Sequence, residues 1–344
     1  MKILENIALA SLTSLGIGGP ARWFVEAASE AEIAEACAWA RERGVPLFVL
    51  GGGSNVLMAD AGFDGLVLHV ALEGLEQEGE LLSAASGTPW EHCVQQATTA
   101  GLAGIECLAG IPGTVGGTPV QNVGAYGQEV STIIDRVRAF DRVAQGFVEF
   151  ANAECGFAYR KSRFNTADRG RYVVTRVDYR LRQNGAPTLT YAELKAHFSG
   201  REKTPSLAEV AEAVRGIRRS KGMLLVEGDP DCRSAGSFFK NPSVAPEVAA
   251  RAKQIAAESG VTLRVFPAEG GLLKIPSAWL IEQAGFHKGY ALGAVGISSK
   301  HTLALVNRGG ATAAEILAMA EKIRAAVEAR FGIRLEMEPE MVGF

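Results

Sequence analysis

The chain has 344 residues, of which 47% are apolar and 21% charged, with a net charge of −3. That length implies two or three domains with a sizeable core. The charge balance gives no reason to expect a nucleic acid or a membrane surface as partner. Five scattered cysteines, never spaced C-x-x-C, and five histidines without ligand spacing argue against a disulfide framework or a bound metal and fit a reducing cytoplasm. The first ten residues look faintly like a leader, but Glu5 and Asn6 interrupt the apolar run. No apolar stretch is long enough to span a bilayer. The segment is therefore read as mature sequence of a cytoplasmic protein.

In chain order, Ser29-Glu-Ala-Glu32 reads as a capping box opening a helix with Ile33, Cys37 and Ala40 on one face. Pro46–Leu50 is a short strand running into Gly51-Gly52-Gly53-Ser54-Asn55, and Gly65–Val70 is the next. Glu80–Ser86 is a strand, and Thr88-Pro89-Trp90-Glu91 reads as a second capping box whose helix Gly101 closes. Strand-like runs follow at Arg136–Asp141, Phe147–Phe150 and Tyr172–Leu181. Ser206-Leu-Ala-Glu209 caps a helix, Pro246–Gly260 and Pro276–Ala284 form two more, and Thr302–Asn307 is a strand. Thr312-Ala-Ala-Glu315 caps the last long helix.

Residues 110–127 are the most informative stretch, with six glycines among them. Glycine lets backbone approach a ligand closely, and converging backbone N–H groups suit an anion, most often a phosphate. Ile111, Val115, Val120 and Val123 are interleaved and would anchor the segment inside the protein. Two glycine loops, 51–55 and 110–117, point to a ligand with a pyrophosphate. Gly16-Ile-Gly18-Gly-Pro-Ala21 loosely matches the common dinucleotide fingerprint, but Pro20 would obstruct the required helix and no strong strand precedes it. No G-x-x-x-x-G-K-[ST] motif is present. A dinucleotide held by a different fold is the remaining reading.

Leu50–Leu57, Gly110–Gly117 and Gln121-Asn-Val-Gly-Ala-Tyr-Gly127 resemble the flavin-binding loops of the UDP-N-acetylenolpyruvoylglucosamine reductases. Phe157–Phe164, Ala235–Pro242, Ala278–Gln283 and Glu338-Pro-Glu340 continue the resemblance in the same order, over nearly the whole chain. It implies an α+β protein: a two-part FAD-binding domain of the vanillyl-alcohol oxidase type and a C-terminal α+β substrate-binding domain. The expected division is 1–70 and 71–222 for the two FAD subdomains, with 331–344 returning to the second, and 223–330 for the substrate domain. It also implies non-covalent FAD, NADPH as hydride donor, a UDP-sugar enolpyruvate as substrate, no metal, and a monomer.

Carried over residue by residue, the resemblance places FAD on Gly51, Gly52, Gly53, Ser54 and Asn55. The second loop supplies Gly110, Ile111, Pro112, Gly113, Thr114, Gly116 and Gly117, and the third Gln121, Asn122, Gly124, Ala125, Tyr126 and Gly127. The implied reaction adds a hydride to a vinyl terminus and a proton to the neighbouring carbon, with negative charge building on the substrate carboxylate. A preorganised donor at such a charge is worth roughly 10²–10³ in rate. Arg160 suits that carboxylate, Ser237 the proton delivery, and Glu340 the polarisation of the same carboxylate, with Glu336 and Glu338 close by in sequence. Thr190-Tyr191 resembles the subclass with a tyrosine over the substrate. Lys240 and Asn241 are expected on the sugar nucleotide, and Arg218, Lys221 and Lys274 on its diphosphate. The alternatives are another flavoprotein of the same superfamily, oxidising an alcohol or sugar, and a non-catalytic nucleotide-binding regulator. The first often tethers its flavin through a histidine near the first glycine loop, which has none here.

Overall fold

The computed structural model describes residues 1–344 and divides them into two units, neither of them continuous in sequence. The first contains Met1–Ala8, Pro20–Gly53 and Phe63–Ser220; the second contains Leu9–Gly19, Ser54–Gly62 and Lys221–Phe344. Contacts thus separate the chain at Ser220/Lys221, and residues 331–344 group with 221–330 rather than with 71–222. No helix is long and apolar enough to cross a membrane.

The first unit has two larger sheets and two small two-stranded ones, Gly124–Ala125 with Gln128–Glu129 and Leu102–Ala103 with Arg182–Gln183. Of the larger two, one is four-stranded, in the order Leu4–Ala8, Pro20–Ala27, Phe63–Val70, Leu47–Leu50, and only its first pair is antiparallel. Helix Glu30–Glu42 lies on it, burying Ile33, Ala36, Cys37 and Ala40 at helical spacing. Half of the expected capping box forms: Glu32 N–H donates to the Ser29 hydroxyl at 3.2 Å, while the Glu32 carboxylate accepts Ala28 N–H at 2.9 Å in place of Ser29 N–H. The other sheet is antiparallel and five-stranded, in the order Gly146–Ala151, Ile134–Asp141, Tyr172–Arg180, Leu81–Ala85, Leu75–Glu78. Helices Trp90–Thr99 and Leu207–Ser220 share its core. The helix expected after Thr88 forms, but not through a capping box. The Thr88 hydroxyl instead exchanges bonds with Gly74 N–H and C=O at 3.1 and 3.0 Å, and Pro89 occupies the cap. Pro20–Ala27 is a strand, so no helix follows Gly16–Gly19 and the dinucleotide fingerprint there has no structural counterpart.

The second unit carries a three-stranded sheet of Ala291–Leu292, Val295–Ile297 and Leu305–Asn307, and another of Ser243–Val244, Leu273–Lys274 and Phe266–Pro267. Its long helix Ala313–Phe331 buries Ile316, Met319, Ile323 and Val327 against Phe238 and Phe239 in one core. The Thr312/Glu315 capping box forms, and the Asp60 carboxylate accepts the next two helix N–H groups, from Ala313 and Ala314, at 2.7 and 3.0 Å. Strand Glu340–Val342 pairs in parallel with Val56–Met58.

Candidate active site

Within the first unit, the two glycine loops touch backbone to backbone. A Cβ on Gly52 would lie 2.6 Å from Gly113 Cα, and one on Gly51 would lie 2.9 Å from Thr114 Oγ1. Only glycine permits that approach. The second loop is tied down along its length. Trp90 N–H donates to Gly113 O at 3.0 Å, Val115 N–H to Thr88 O at 3.0 Å and Gly116 N–H to Ser86 O at 2.8 Å. Val115 and Val123 are buried, with Ile111 and Val120 packed on the same core, as their interleaving predicts.

Glu91, freed from helix capping, accepts Gly110 N–H at 2.6 Å and pairs with Arg215 at 2.6 Å. Arg218, expected on a substrate diphosphate, is 6% exposed and donates to Gly110 O at 2.9 Å while also meeting Tyr126. Burial lowers its pKa, with Tyr126 and Glu91 opposing. A guanidinium stays charged through such a shift. Its observed contacts make it a brace under the loop.

The loop leaves its backbone exposed and free of side chains at Gly117. Nothing lies within 4 Å of a Cβ built on Gly117. Beside neighbouring Gly116 sits Ser86, whose Cβ would be 2.8 Å from a Cβ there and whose Oγ is buried without a hydrogen-bond partner. A buried hydroxyl without a partner costs free energy unless a ligand meets it. Side-chain-free backbone next to a waiting donor fits the pyrophosphate of a dinucleotide.

Residues 121–127 connect this loop to Arg160. Asn122 adopts φ 44° and is buried. Its Nδ2 donates to Ala158 O at 3.0 Å and to Glu129 at 3.2 Å, and its Oδ1 accepts Ser131 N–H at 3.1 Å. Ala158 and Lys161 exchange two backbone bonds of 3.0 Å, closing a turn with Tyr159 and Arg160 at its tip. Arg160 has φ 56°, a left-handed conformation that costs a non-glycine residue of order 1 kcal/mol or more. The turn is secured on its far side. Asn165 Nδ2 donates to Arg160 O at 3.2 Å, and the fully buried Ser162 hydroxyl donates to Val120 O at 2.7 Å. Tyr191 is 40% exposed, edge-on to Tyr126 with ring centroids 5.1 Å apart.

In the second unit, Gly236 takes φ 72° and presents half-buried Ser237 just before the fully buried pair Phe238 and Phe239. The segment is flanked by the C-terminal strand region: Glu338 N–H donates to Phe238 O and Lys240 N–H to Glu336 O, both at 2.9 Å. Asn55 joins the same ladder, accepting Glu340 N–H at 3.0 Å through its carbonyl. Ser237, Glu340 and Asn55 therefore lie on adjoining stretches of backbone. Glu336 is ion-paired with Lys240 at 2.5 Å, while Glu338 and Glu340 are half-buried. Asn241 accepts Ser277 N–H at 2.9 Å and so starts helix Ser277–Gln283. Lys274 lies on strand Leu273–Lys274, and Ser54 and Lys221 belong to this unit. A cavity of about 470 Å³ between Leu225–Arg233 and Asn307–Arg308 includes none of the expected residues. All five cysteines are free and buried, and burial pushes the Cys93, Cys107 and Cys155 thiols up to about 12. Glu106 escapes sequence reasoning because Gln128 and Thr188, two of its partners, lie far along the chain, and Ser86 because its hydroxyl has no partner in the protein.

Residues 21–146 match the FAD binding domain family, and residues 229–342 match the family described as UDP-N-acetylenolpyruvoylglucosamine reductase, C-terminal domain. The chain is 47% identical over 350 residues to the UDP-N-acetylenolpyruvoylglucosamine reductase of Thermobifida fusca, covering 98% of each. It is 45% identical to that of Streptomyces coelicolor, covering 99% of this chain and 90% of the relative. A crystal structure of the Thermus caldophilus UDP-N-acetylenolpyruvylglucosamine reductase superposes with a TM-score of 0.69 at 26% identity, covering 99% of both chains. With its matched FAD-binding segment and relatives aligned from end to end, the chain belongs to the UDP-N-acetylenolpyruvoylglucosamine reductase family.

Proposed function

We propose that this chain reduces UDP-N-acetylenolpyruvoylglucosamine to UDP-N-acetylmuramate for peptidoglycan precursor synthesis, using FAD and NADPH. Identity of 47% across 98% of both chains is the observation that carries this reading. Gly51–Asn55, Gly110–Gly117 and Gln121–Gly127 would hold the cofactor, and Ser86 would join them at the diphosphate. When bound, FAD supplies the two-electron relay from NADPH to the substrate double bond.

The protein's own groups then handle charge and proton. Arg160 offers two parallel N–H donors to the substrate carboxylate and stabilises the negative charge that builds there. Its turn is fixed before substrate arrives, so little reorganisation is needed in the transition state. The Ser237 hydroxyl gives its proton to the carbon bearing the carboxylate as the hydride adds to the vinyl terminus. A CH₂=C unit thereby becomes CH₃–CH. Glu340 polarises the same carboxylate. Tyr191 covers the substrate; Lys240, Asn241, Lys221 and Lys274 meet the sugar nucleotide. Residues 1–70 and 71–222 act as the FAD-binding parts and 223–330 as the substrate-binding part. A monomer acting in the cytoplasm completes the proposal.

The test is spectral. Purified protein should be yellow, anaerobic NADPH should bleach it, and the enolpyruvyl sugar nucleotide should restore the oxidised spectrum. A colourless protein that cannot be reconstituted with FAD would sink the reading. A yellow protein that a simple alcohol or sugar bleaches in place of NADPH would make it an oxidase.

A further inference from the structure

We infer that Glu106, a carboxylate with no place in the chemistry above, is the positioning residue for the Tyr191 segment. The inference rests on the proposed role of Tyr191 over the substrate. Glu106 is 0% exposed and lies four residues before Gly110. No cation faces it. Oε2 accepts Gly104 N–H at 2.8 Å, while Oε1 accepts both Gln128 Nε2–H and Thr188 N–H at 2.8 Å. Gln128 in turn accepts Cys107 N–H at 2.8 Å and donates to the Thr188 hydroxyl at 3.1 Å. The Cys107 thiol donates to Thr188 O at 3.1 Å.

Three chain segments more than 20 and more than 80 residues apart are thus joined at one buried carboxylate. Burying such a group is unfavourable unless its donors are fixed in place, so the cluster is either fully formed or disrupted as a whole. Its reach is specific. Thr188 leads directly into Thr190 and Tyr191, and Gly127 has no side chain where the Thr190 side chain packs against it. Gln128, next in the chain, is the residue Glu106 holds. The Tyr126 ring meets the Tyr191 ring at 83°. Tyr191 itself is 40% exposed and opens a six-residue helix, Ala192–His197, whose Leu194 is buried in the first unit's core. Glu106 therefore sets the position of a side chain it does not touch.

The test is a double-mutant cycle on the FAD-loaded enzyme, reading each half-reaction by anaerobic stopped flow. Glu106→Gln replaces an acceptor by an amide that cannot take all three donors. It should raise KM for the enolpyruvyl sugar nucleotide about 10-fold to 100-fold and leave the rate of bleaching by NADPH within about 3-fold. Tyr191→Ala should raise the same KM, and adding Glu106→Gln to it should raise KM by no more than about 2-fold. Thr188→Val, which keeps shape and loses only the hydroxyl bond to Gln128, should move KM in the same direction by about 2-fold to 5-fold. That variant carries the test if Glu106→Gln fails to fold. Equal loss of both half-reactions, or effects of Glu106→Gln and Tyr191→Ala that multiply, would overturn the inference while leaving the Tyr191 reading intact. No KM effect from Tyr191→Ala would instead remove the Tyr191 role, and the inference with it.

Discussion

The Asn122 carboxamide donates to the Ala158 carbonyl at 3.0 Å, and through that bond the glycine-rich segment holds the turn that carries Arg160. Asn122→Ala leaves Ala158 O, Glu129 and Ser131 N–H without this partner, and removes a residue type that tolerates φ 44°. Reoxidation of the bleached enzyme by the enolpyruvyl sugar nucleotide should slow by about 10-fold to 100-fold. Bleaching by NADPH should change far less. Stopped-flow absorbance of both half-reactions decides it: parallel losses mean that Asn122 serves the cofactor loop alone.

Ser237→Ala should bleach with NADPH at the normal rate and reoxidise with substrate about 10²–10⁴-fold more slowly, the usual worth of a positioned proton donor. The backbone on either side, Gly236 at φ 72° and Phe238 N–H on Leu303 O at 2.7 Å, is untouched by this change. A defect confined to the NADPH step would remove the proton-donor role.

Ser86→Ala removes a buried hydroxyl that has no partner in the protein. The apoprotein should melt at the same temperature or slightly higher, since no bond is lost. FAD affinity should fall about 10-fold if that hydroxyl meets the diphosphate. Differential scanning fluorimetry of the apoprotein and FAD titration separate the two effects; an unchanged Kd would place the diphosphate elsewhere.

Gly52→Ala and Gly117→Ala should behave oppositely in the apoprotein. A methyl on Gly52 meets Gly113 Cα at 2.6 Å and should destabilise by about 1–3 kcal/mol. A methyl on Gly117 meets nothing within 4 Å and should leave the melting temperature alone, yet weaken FAD binding by covering exposed backbone that the cofactor would lie against. Retention of full FAD affinity by Gly117→Ala would contradict the proposed cradle.

Asp141 accepts Arg171 Nη2–H at 2.7 Å and backbone N–H groups from Val143 and Ala144. The Arg171 hydrogen bond is the main cause holding its carboxyl down to about 2, against the opposing effect of burial. A depressed carboxylate stabilises the fold fully above its unfolded value near 3.9 and loses that contribution as pH falls toward 2. Asp141→Asn should therefore lower stability at pH 5–7 and melt progressively more like the parent between pH 4 and pH 2. Equal differences in melting temperature across that range would count against the ion pair as the cause.

Much of the fold was legible because its signals are local. The Ser29 hydroxyl cap on Glu32 N–H and the capping boxes at Ser206/Glu209 and Thr312/Glu315 satisfy their own helix starts within four residues. Thr88/Glu91 has the same pattern and was diverted, because Gly74 and Gly110 offered both side chains tertiary partners. The N-terminal strands Leu4–Ala8 and Pro20–Ala27 gave little warning: the first is mostly exposed, and the second begins at a proline. At the site, the glycine loops announced themselves by composition. Glu106 and Ser162 did not, since a carboxylate bonded to Thr188 and a hydroxyl bonded to Val120 look in sequence like any other polar residue.

The parallel pairing of Glu340–Val342 with Val56–Met58 has a consequence for synthesis. Val56 leaves the ribosome roughly 280 residues ahead of its partner, a delay of roughly 15–60 s at ordinary elongation rates. Throughout that interval one edge of Val56–Met58 has no neighbour, and Asn55 has no Glu340 amide to receive. A nascent chain stalled even a few residues short would carry most of its glycine loops and helices and still lack this closing strand.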